Sequence, residues 1–110
     1  MAVRRRTDEL QDLGRFSEPA LLVLISLADG PKHGYAMTQD IQVVSGQKLG
    51  PGTLYGAITR LESKGWIEPL PADDRRRPYR LTGAGQKVLK HRLESLRAVA
   101  RVGQARLADG

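Results

Sequence analysis

The stretch GPGTLYGAITRLESKGWI, residues 50–67, determines how the rest of the chain is interpreted. Pro51 suits the first turn of a helix, and Gly65 stands where a glycine ends one. Between them apolar residues recur at helical spacing, which predicts a helix over residues 51–64 with one buried stripe. The stripe consists of Leu54, Ala57, Ile58 and Leu61.

The opposite face of this predicted helix is small and polar, with Tyr55 at its boundary. A glycine costs about 1 kcal/mol relative to alanine inside a helix, so the close approach of another surface is expected to compensate. An α-helix fits the major groove of B-DNA when its outward residues are small or form hydrogen bonds. The pattern therefore indicates a recognition helix; the alternative is an amphipathic helix whose polar face is only solvated. The face carries Gly52, Gly56, Thr59, Arg60 and Ser63.

The residues after this helix predict a β-hairpin. Residues 66–70 and 78–82 are its strands, and a wing projects over residues 69–80. Because prolines occupy positions 69 and 78, both strands are expected at sheet edges. The tip carries three arginines that could reach a phosphate backbone or the minor groove. The alternative is a solvated charge run, in which Asp73 and Asp74 partly neutralise Arg75, Arg76 and Arg77.

Two further helices are predicted before the quoted stretch. Ser17 offers an N-cap to an apolar run over residues 20–28, and residues 34–45 predict a second helix that ends at Gly46. Residues 1–16 are expected to form a partly ordered arm. Three helices and a hairpin predict a mainly α fold with a small β-hairpin, in the form of a winged helix-turn-helix domain over residues 17–82.

The remaining residues, 83–110, predict one long helix that follows a capping Thr82 and runs to about residue 107. Its apolar positions follow the spacing of a heptad seam. A helix of roughly 25 residues overshoots a body of this size, so a second copy of the chain is expected to cover the seam. The alternative is a helix folded back on its own domain. The expected dimer contacts are Leu89, Leu93, Leu96, Ala100, Gly103 and Leu107.

The net charge of +6 is concentrated in one part of the chain. Residues 48–92 contain ten lysines and arginines against four acids, which accounts for the whole excess. Such clustering indicates a polyanion partner, although a basic surface that only keeps the protein soluble would look the same. The chain has no cysteine, no signal-peptide pattern after Met1 and no apolar run that could span a membrane. These features predict a cytoplasmic protein with no membrane partner.

No enzymatic site emerges from the sequence. His33 and His91 are the only histidines, and neither has the neighbours of a metal or acid-base site. No glycine-rich phosphate-binding motif follows a predicted strand. We therefore expect no catalytic residue, no metal and no cofactor.

Two other segments, LADGPKHGY (residues 27–35) and RRPYRLTGAG (residues 76–85), accompany the stretch over residues 50–67. In this order and spacing the three resemble the PadR family of transcriptional regulators. The resemblance implies a homodimer joined through its C-terminal helices, with helix 51–64 in the major groove and the wing on the backbone or in the minor groove. It also implies a repressor, and the single C-terminal helix is similar to the short branch of the family.

The resemblance places Thr53 and Tyr55 near DNA, and His33 and Tyr35 near phosphate. Gly50 departs from the family's frequent Ser, which removes a capping hydroxyl. Some members bind flat hydrophobic ligands between aromatic side chains of the dimer helices, yet residues 83–110 hold no aromatic. A small-molecule effector is therefore a possible partner that stays unassigned. Pattern and resemblance together give the expected DNA contacts: His33, Tyr35, Thr53, Tyr55, Thr59, Arg60, Lys64, Arg75, Arg76, Arg77 and Arg80.

The sequence as a whole predicts a regulator that recognises double-stranded DNA sequence-specifically. The alternative is a winged-helix protein-interaction module that does not bind DNA. Salt-dependent retardation of duplex DNA separates the two, because only phosphate contacts release counterions.

Overall fold

The computed structural model describes residues 19–109, so the predicted arm and the Ser17 cap lie outside the described residues. Within these residues four helices and three strands follow one another. They are α1 (Pro19–Leu27), β1 (Lys32–His33), α2 (Gly34–Ser45), α3 (Pro51–Ser63), β2 (Ile67–Pro69), β3 (Pro78–Leu81) and α4 (Gly83–Asp109).

The core lies where α1, α2 and α3 meet. Helix α1 is apolar on most sides because it is covered on most sides, and Val23 and Leu27 are buried there. Met37 and Ile41 of α2 and the predicted stripe of α3 complete this core. Burial of such side chains contributes about 1.5–3 kcal/mol each, which holds the polar face of α3 outward. The predicted bounds of α2 are confirmed, including its end at Gly46.

The sheet differs from the predicted hairpin by one strand. The short β1 pairs with β3, which gives the strand order β1-β3-β2 with antiparallel neighbours. The prediction that both hairpin strands lie at sheet edges is therefore wrong for β3, which is central. Pro78 is tolerated there because it is the first residue of the strand, where the missing N–H costs no ladder bond.

Helix α3 ends one residue before the predicted boundary. Lys64 is its C-cap, and Gly65 follows in the left-handed conformation with φ 74°. The Trp66 N–H donates to the Leu61 carbonyl and the Gly65 N–H to the Glu62 carbonyl. This pair of bonds is a Schellman motif, which a glycine adopts without steric cost. The chain is thereby turned from α3 directly into β2.

Helix α4 begins in the core and then leaves it. Leu89, predicted as a dimer contact, is only 6% exposed and packs in the core of its own domain. Every residue from 90 to 109 is exposed, so over this length the helix does not fold back on its domain. At 1.5 Å per residue the exposed part is about 30 Å long. The helix ends at Asp109, slightly beyond the predicted residue 107.

None of the helices within residues 19–109 combines the length and the apolar character needed to cross a membrane.

Candidate nucleic-acid interface

The outer face of α3 is open and flat. Thr53, Gly56 and Thr59 are exposed on it, as predicted. A methyl group added at Gly52 or Gly56 would meet no atom within 4 Å, so no contact among the described residues requires these glycines. The Thr59 hydroxyl donates to the Tyr55 carbonyl at 2.9 Å, which keeps it close to the helix backbone. A second surface could therefore approach the backbone of α3 closely.

A basic concavity of about 340 Å³ lies beside this face, between α3, the start of α2 and the wing. It brings together most of the residues predicted as phosphate contacts. Cationic guanidinium groups, phenol hydroxyls and the N-terminus of a helix all favour an anion. Its lining residues are His33, Gly34, Tyr35, Tyr55, Arg75, Arg76, Arg77 and Tyr79.

Tyr55 is placed by a glycine in the neighbouring helix. An added methyl at Gly34 would lie 2.5 Å from the Tyr55 hydroxyl, so the absence of a side chain at Gly34 lets the phenol lie against α2. His33 caps α2, and its Nδ1 accepts a hydrogen bond from the Ala36 N–H at 3.5 Å. Tyr35 is exposed, and its hydroxyl accepts from Gln39 at 3.2 Å.

The wing tip is a tight two-residue turn. The N–H of Asp73 donates to the Arg76 carbonyl at 2.7 Å, and the reverse bond measures 2.8 Å. The central residues Asp74 and Arg75 have φ values of 49° and 68°. Positive φ at both positions is typical of a type I′ turn, in which asparagine and glycine are favoured. The turn directs Arg76 back to α2, where its Nη1 lies 3.4 Å from Nε2 of His33.

Three of the predicted basic contacts lie outside the concavity, as do Thr53 and Thr59 of the α3 face. Arg60 lines a largely apolar cleft of about 540 Å³ between α1, α3 and the base of α4. The Lys64 ammonium lies 5.1 Å from the centre of the Trp66 ring, a cation–π distance. Arg80 forms an ion pair with Glu68 across β2 and β3.

Tyr79 is a concavity residue that the sequence interpretation missed. It precedes Arg80 in β3, and successive side chains of a strand point to opposite faces, so the two separate. Burial, with the Glu62 carboxylate adding to it, raises the pKa of the Tyr79 hydroxyl above its ordinary value. The phenol therefore remains a hydrogen-bond donor at neutral pH. The alternation of β3 was the signal that could have identified it.

Within residues 19–109 no group of three or more acids and histidines could hold a metal ion. The chemistry that the described residues offer at α3 and the wing is hydrogen bonding and positive charge.

Comparison with known proteins identifies the same domain. The model of the transcriptional regulator PadR-like family matches residues 22–91. A 37.1 kDa protein in transposon Tn4556 of Streptomyces fradiae is 46% identical over 96 residues, 86% of this chain and 28% of that protein. The transcriptional regulator Rv3488 of Mycobacterium tuberculosis is 38% identical over 84 residues, 74% of this chain and 78% of that protein.

A solved structure agrees with these matches. The crystal structure of a PadR family transcription regulator from Clostridium difficile superposes with a TM-score of 0.75 at 25% identity, over 83% of this chain and 99% of the other. The family match includes α2, α3, the wing and the first turns of α4. By sequence and by fold, the chain belongs to the PadR-like family of DNA-binding transcriptional regulators.

Proposed function

We propose that this protein is a transcriptional repressor that binds double-stranded DNA sequence-specifically as a homodimer. Helix α3 enters the major groove, and the wing contacts the backbone or the adjacent minor groove. One observation carries the proposal: the open glycine face of α3 lies directly beside the basic concavity. Duplex DNA has a matching arrangement, because the base edges in the major groove lie beside the phosphate backbone.

The two surfaces have different roles in this proposal. Thr53 and Thr59 contact base edges, because their side chains lie on the face where the helix backbone approaches the groove. The basic concavity holds phosphates and orients the protein without contributing sequence preference. Arg60 lies at the side of the helix and reaches the DNA backbone from there, and Lys64 lines the same cleft. Arg80 adds charge from β3, where it pairs with Glu68.

The homodimer is proposed from the exposed part of α4. Leu93 and Leu96 are 42% and 39% exposed in one subunit, and Leu107 is 83% exposed. Ala100 and Gly103 lie on the same stripe and would allow close approach of a partner helix. Val99 and Val102 are exposed beside it, which the heptad pattern did not include. Two subunits related by a two-fold axis present two recognition helices, so the operator is expected to be palindromic.

Two single substitutions in α3 test the proposal. Both side chains are exposed, so each change is expected to alter stability by less than about 0.5 kcal/mol. Thr59→Ala should change the preferred base at one position of the operator. Arg60→Ala should weaken operator and random duplex alike, because a backbone contact carries no base information. The measurement is a competition titration of operator against random duplex, with thermal melts run in parallel.

A parent protein that binds no duplex better than any other would contradict sequence-specific binding, and parental base preference in Thr59→Ala would contradict its contact with a base edge. The winged-helix interaction module would then be the better account.

A further inference from the structure

A single residue, Thr82, joins the end of the recognition helix to the start of α4. Gly65 and Trp66, whose N–H groups form the Schellman motif at the end of α3, offer their carbonyls to Thr82. The Thr82 hydroxyl donates to the Gly65 carbonyl at 2.7 Å. The Thr82 N–H donates to the Trp66 carbonyl at 3.0 Å.

The same hydroxyl also begins α4. It accepts a hydrogen bond from the Gly85 N–H at 3.0 Å, the geometry of an N-cap. The Thr82 carbonyl accepts the first bond of the helix from the Gln86 N–H at 2.9 Å. One oxygen atom therefore donates to the segment that ends α3 and accepts from the first turn of α4.

The two segments are also in very close contact. A methyl group added at Gly85 would lie 2.0 Å from the Trp66 carbonyl oxygen and 2.8 Å from Cδ1 of Leu81. Only glycine fits this position, so α4 leaves the domain against the backbone of residue 66 with no side chain between them. The contacts of Thr82 and Gly85 that hold the start of α4 against the end of α3 all lie within a few ångströms of one another.

We propose that Thr82 is a positioning residue that sets the angle between α3 and α4, and thereby the spacing of the two half-sites in the operator. This inference rests on the proposed function, since it requires a dimer joined through α4 on duplex DNA. In such a dimer the described residues connect the two recognition helices through the Thr82 joints, the packing of Leu89 in each core and the paired α4 helices.

The length of α4 amplifies small changes at this joint. Its 27 residues span about 40 Å at 1.5 Å per residue. A tilt of about 5° at the joint moves the far end by about 3.5 Å, which is close to the rise of one base pair. Losing the bond to Gly65 is therefore expected to weaken the preference for the parental half-site spacing over spacings that differ by one base pair. Because each base pair also rotates a half-site by about 35° around the DNA axis, the preference should fall without vanishing.

Three substitutions separate this role from helix capping. Thr82→Asp keeps an acceptor for the Gly85 N–H and remains a good N-cap, but its carboxylate cannot donate to the Gly65 carbonyl. Thr82→Ser keeps both bonds and is the matched control. Thr82→Val keeps the shape and loses both bonds, so its difference from Thr82→Asp measures the effect of the cap alone.

The first measurement is the affinity for duplexes whose half-sites stand at the parental spacing or one base pair to either side. We expect Thr82→Ser to discriminate between these spacings as the parent does. In Thr82→Asp the discrimination should fall by about twofold to tenfold, the net value of one hydrogen bond, with half-site sequence and dimer mass unchanged. Parental discrimination in Thr82→Asp, whatever its melting temperature, would show that Thr82 is only a cap.

The second measurement does not depend on DNA. The chain has no cysteine, so Ser63→Cys gives one spin label per subunit at the exposed end of α3. The distance distribution between the two labels of the dimer should broaden with Thr82→Asp and not with Thr82→Ser. An unchanged distribution would overturn the inference. If the parent selects no paired half-sites, the proposed function fails, and the label distances still decide the role of the joint.

Discussion

Gly56 is a residue at which stability and DNA binding are expected to change in opposite directions. The space around it is open, so Gly56→Ala should raise the free energy of unfolding by up to about 1 kcal/mol. The added methyl should weaken operator binding, because it lies on the face that approaches the groove. Thermal melts and a binding titration check both effects. Gly83→Ala adds a methyl at another open helical position and should leave DNA affinity unchanged; tighter binding by Gly56→Ala would contradict the placement of α3.

Arg75 combines backbone strain with a charge at the wing tip. Its φ of 68° is unfavourable for a residue with a Cβ, at a cost of roughly 1–2 kcal/mol. Arg75→Gly should relieve this strain and stabilise the turn, while operator and random duplex both bind more weakly. Asp74→Gly is the control, because it relieves similar strain at φ 49° and removes an acid instead of a base. Melting curves and titrations of both variants would contradict the assignment if Arg75→Gly bound DNA as the parent does.

The wing as an element is expected to provide affinity without sequence preference. Changing Arg75, Arg76 and Arg77 to Ala should weaken all duplexes alike and flatten the dependence of log K on log salt by up to about 0.9 for each phosphate that is no longer neutralised. A triple variant at Lys87, Lys90 and Arg101 removes the same charge from the side of α4 away from its apolar stripe. If both triple variants flatten the slope equally, net charge and not the wing explains the effect.

The helices were predictable from sequence because each is long enough to show its period. Strand β1 was not, since two residues carry no pattern and their pairing depends on where β3 lies after folding. The apolar stripe of α4 was predicted, yet the heptad spacing could not show that Leu89 belongs to its own core, because burial by a partner and burial by one's own domain require the same residue type. Tyr79 was overlooked because the prediction followed the charge of its neighbour Arg80. Successive residues of a strand lie on opposite faces, so Arg80 does not mark the face that carries Tyr79.

At the scale of the whole molecule, the buried first residue of the α4 stripe and the exposed leucines that follow it should respond differently to substitution. Replacing Leu93 and Leu96 with Glu puts like charges into the proposed dimer contact without touching the core, so the subunit should stay folded and run as a monomer with weak DNA binding. Leu89→Ala removes a core side chain and should destabilise the fold by about 2–5 kcal/mol. Mass measurement at micromolar concentration and thermal melts distinguish the two.

The control for the first variant is Lys90→Glu with Arg101→Glu, which places two acids on another side of α4. This protein should remain a dimer. Parental mass and DNA affinity in the Leu93 and Leu96 variant would show that the dimer contact lies elsewhere.

The exposed residues 90–109 also bear on how long a single subunit survives in a cell. A helix of this length with exposed residues throughout is only marginally stable in water, so before assembly it opens often and offers an extended backbone to proteases. Pairing in the proposed dimer would cover the same residues and remove that opportunity. Degradation would therefore fall on subunits that have not yet found a partner, and the amount of assembled protein would rise more steeply than in proportion to its rate of synthesis.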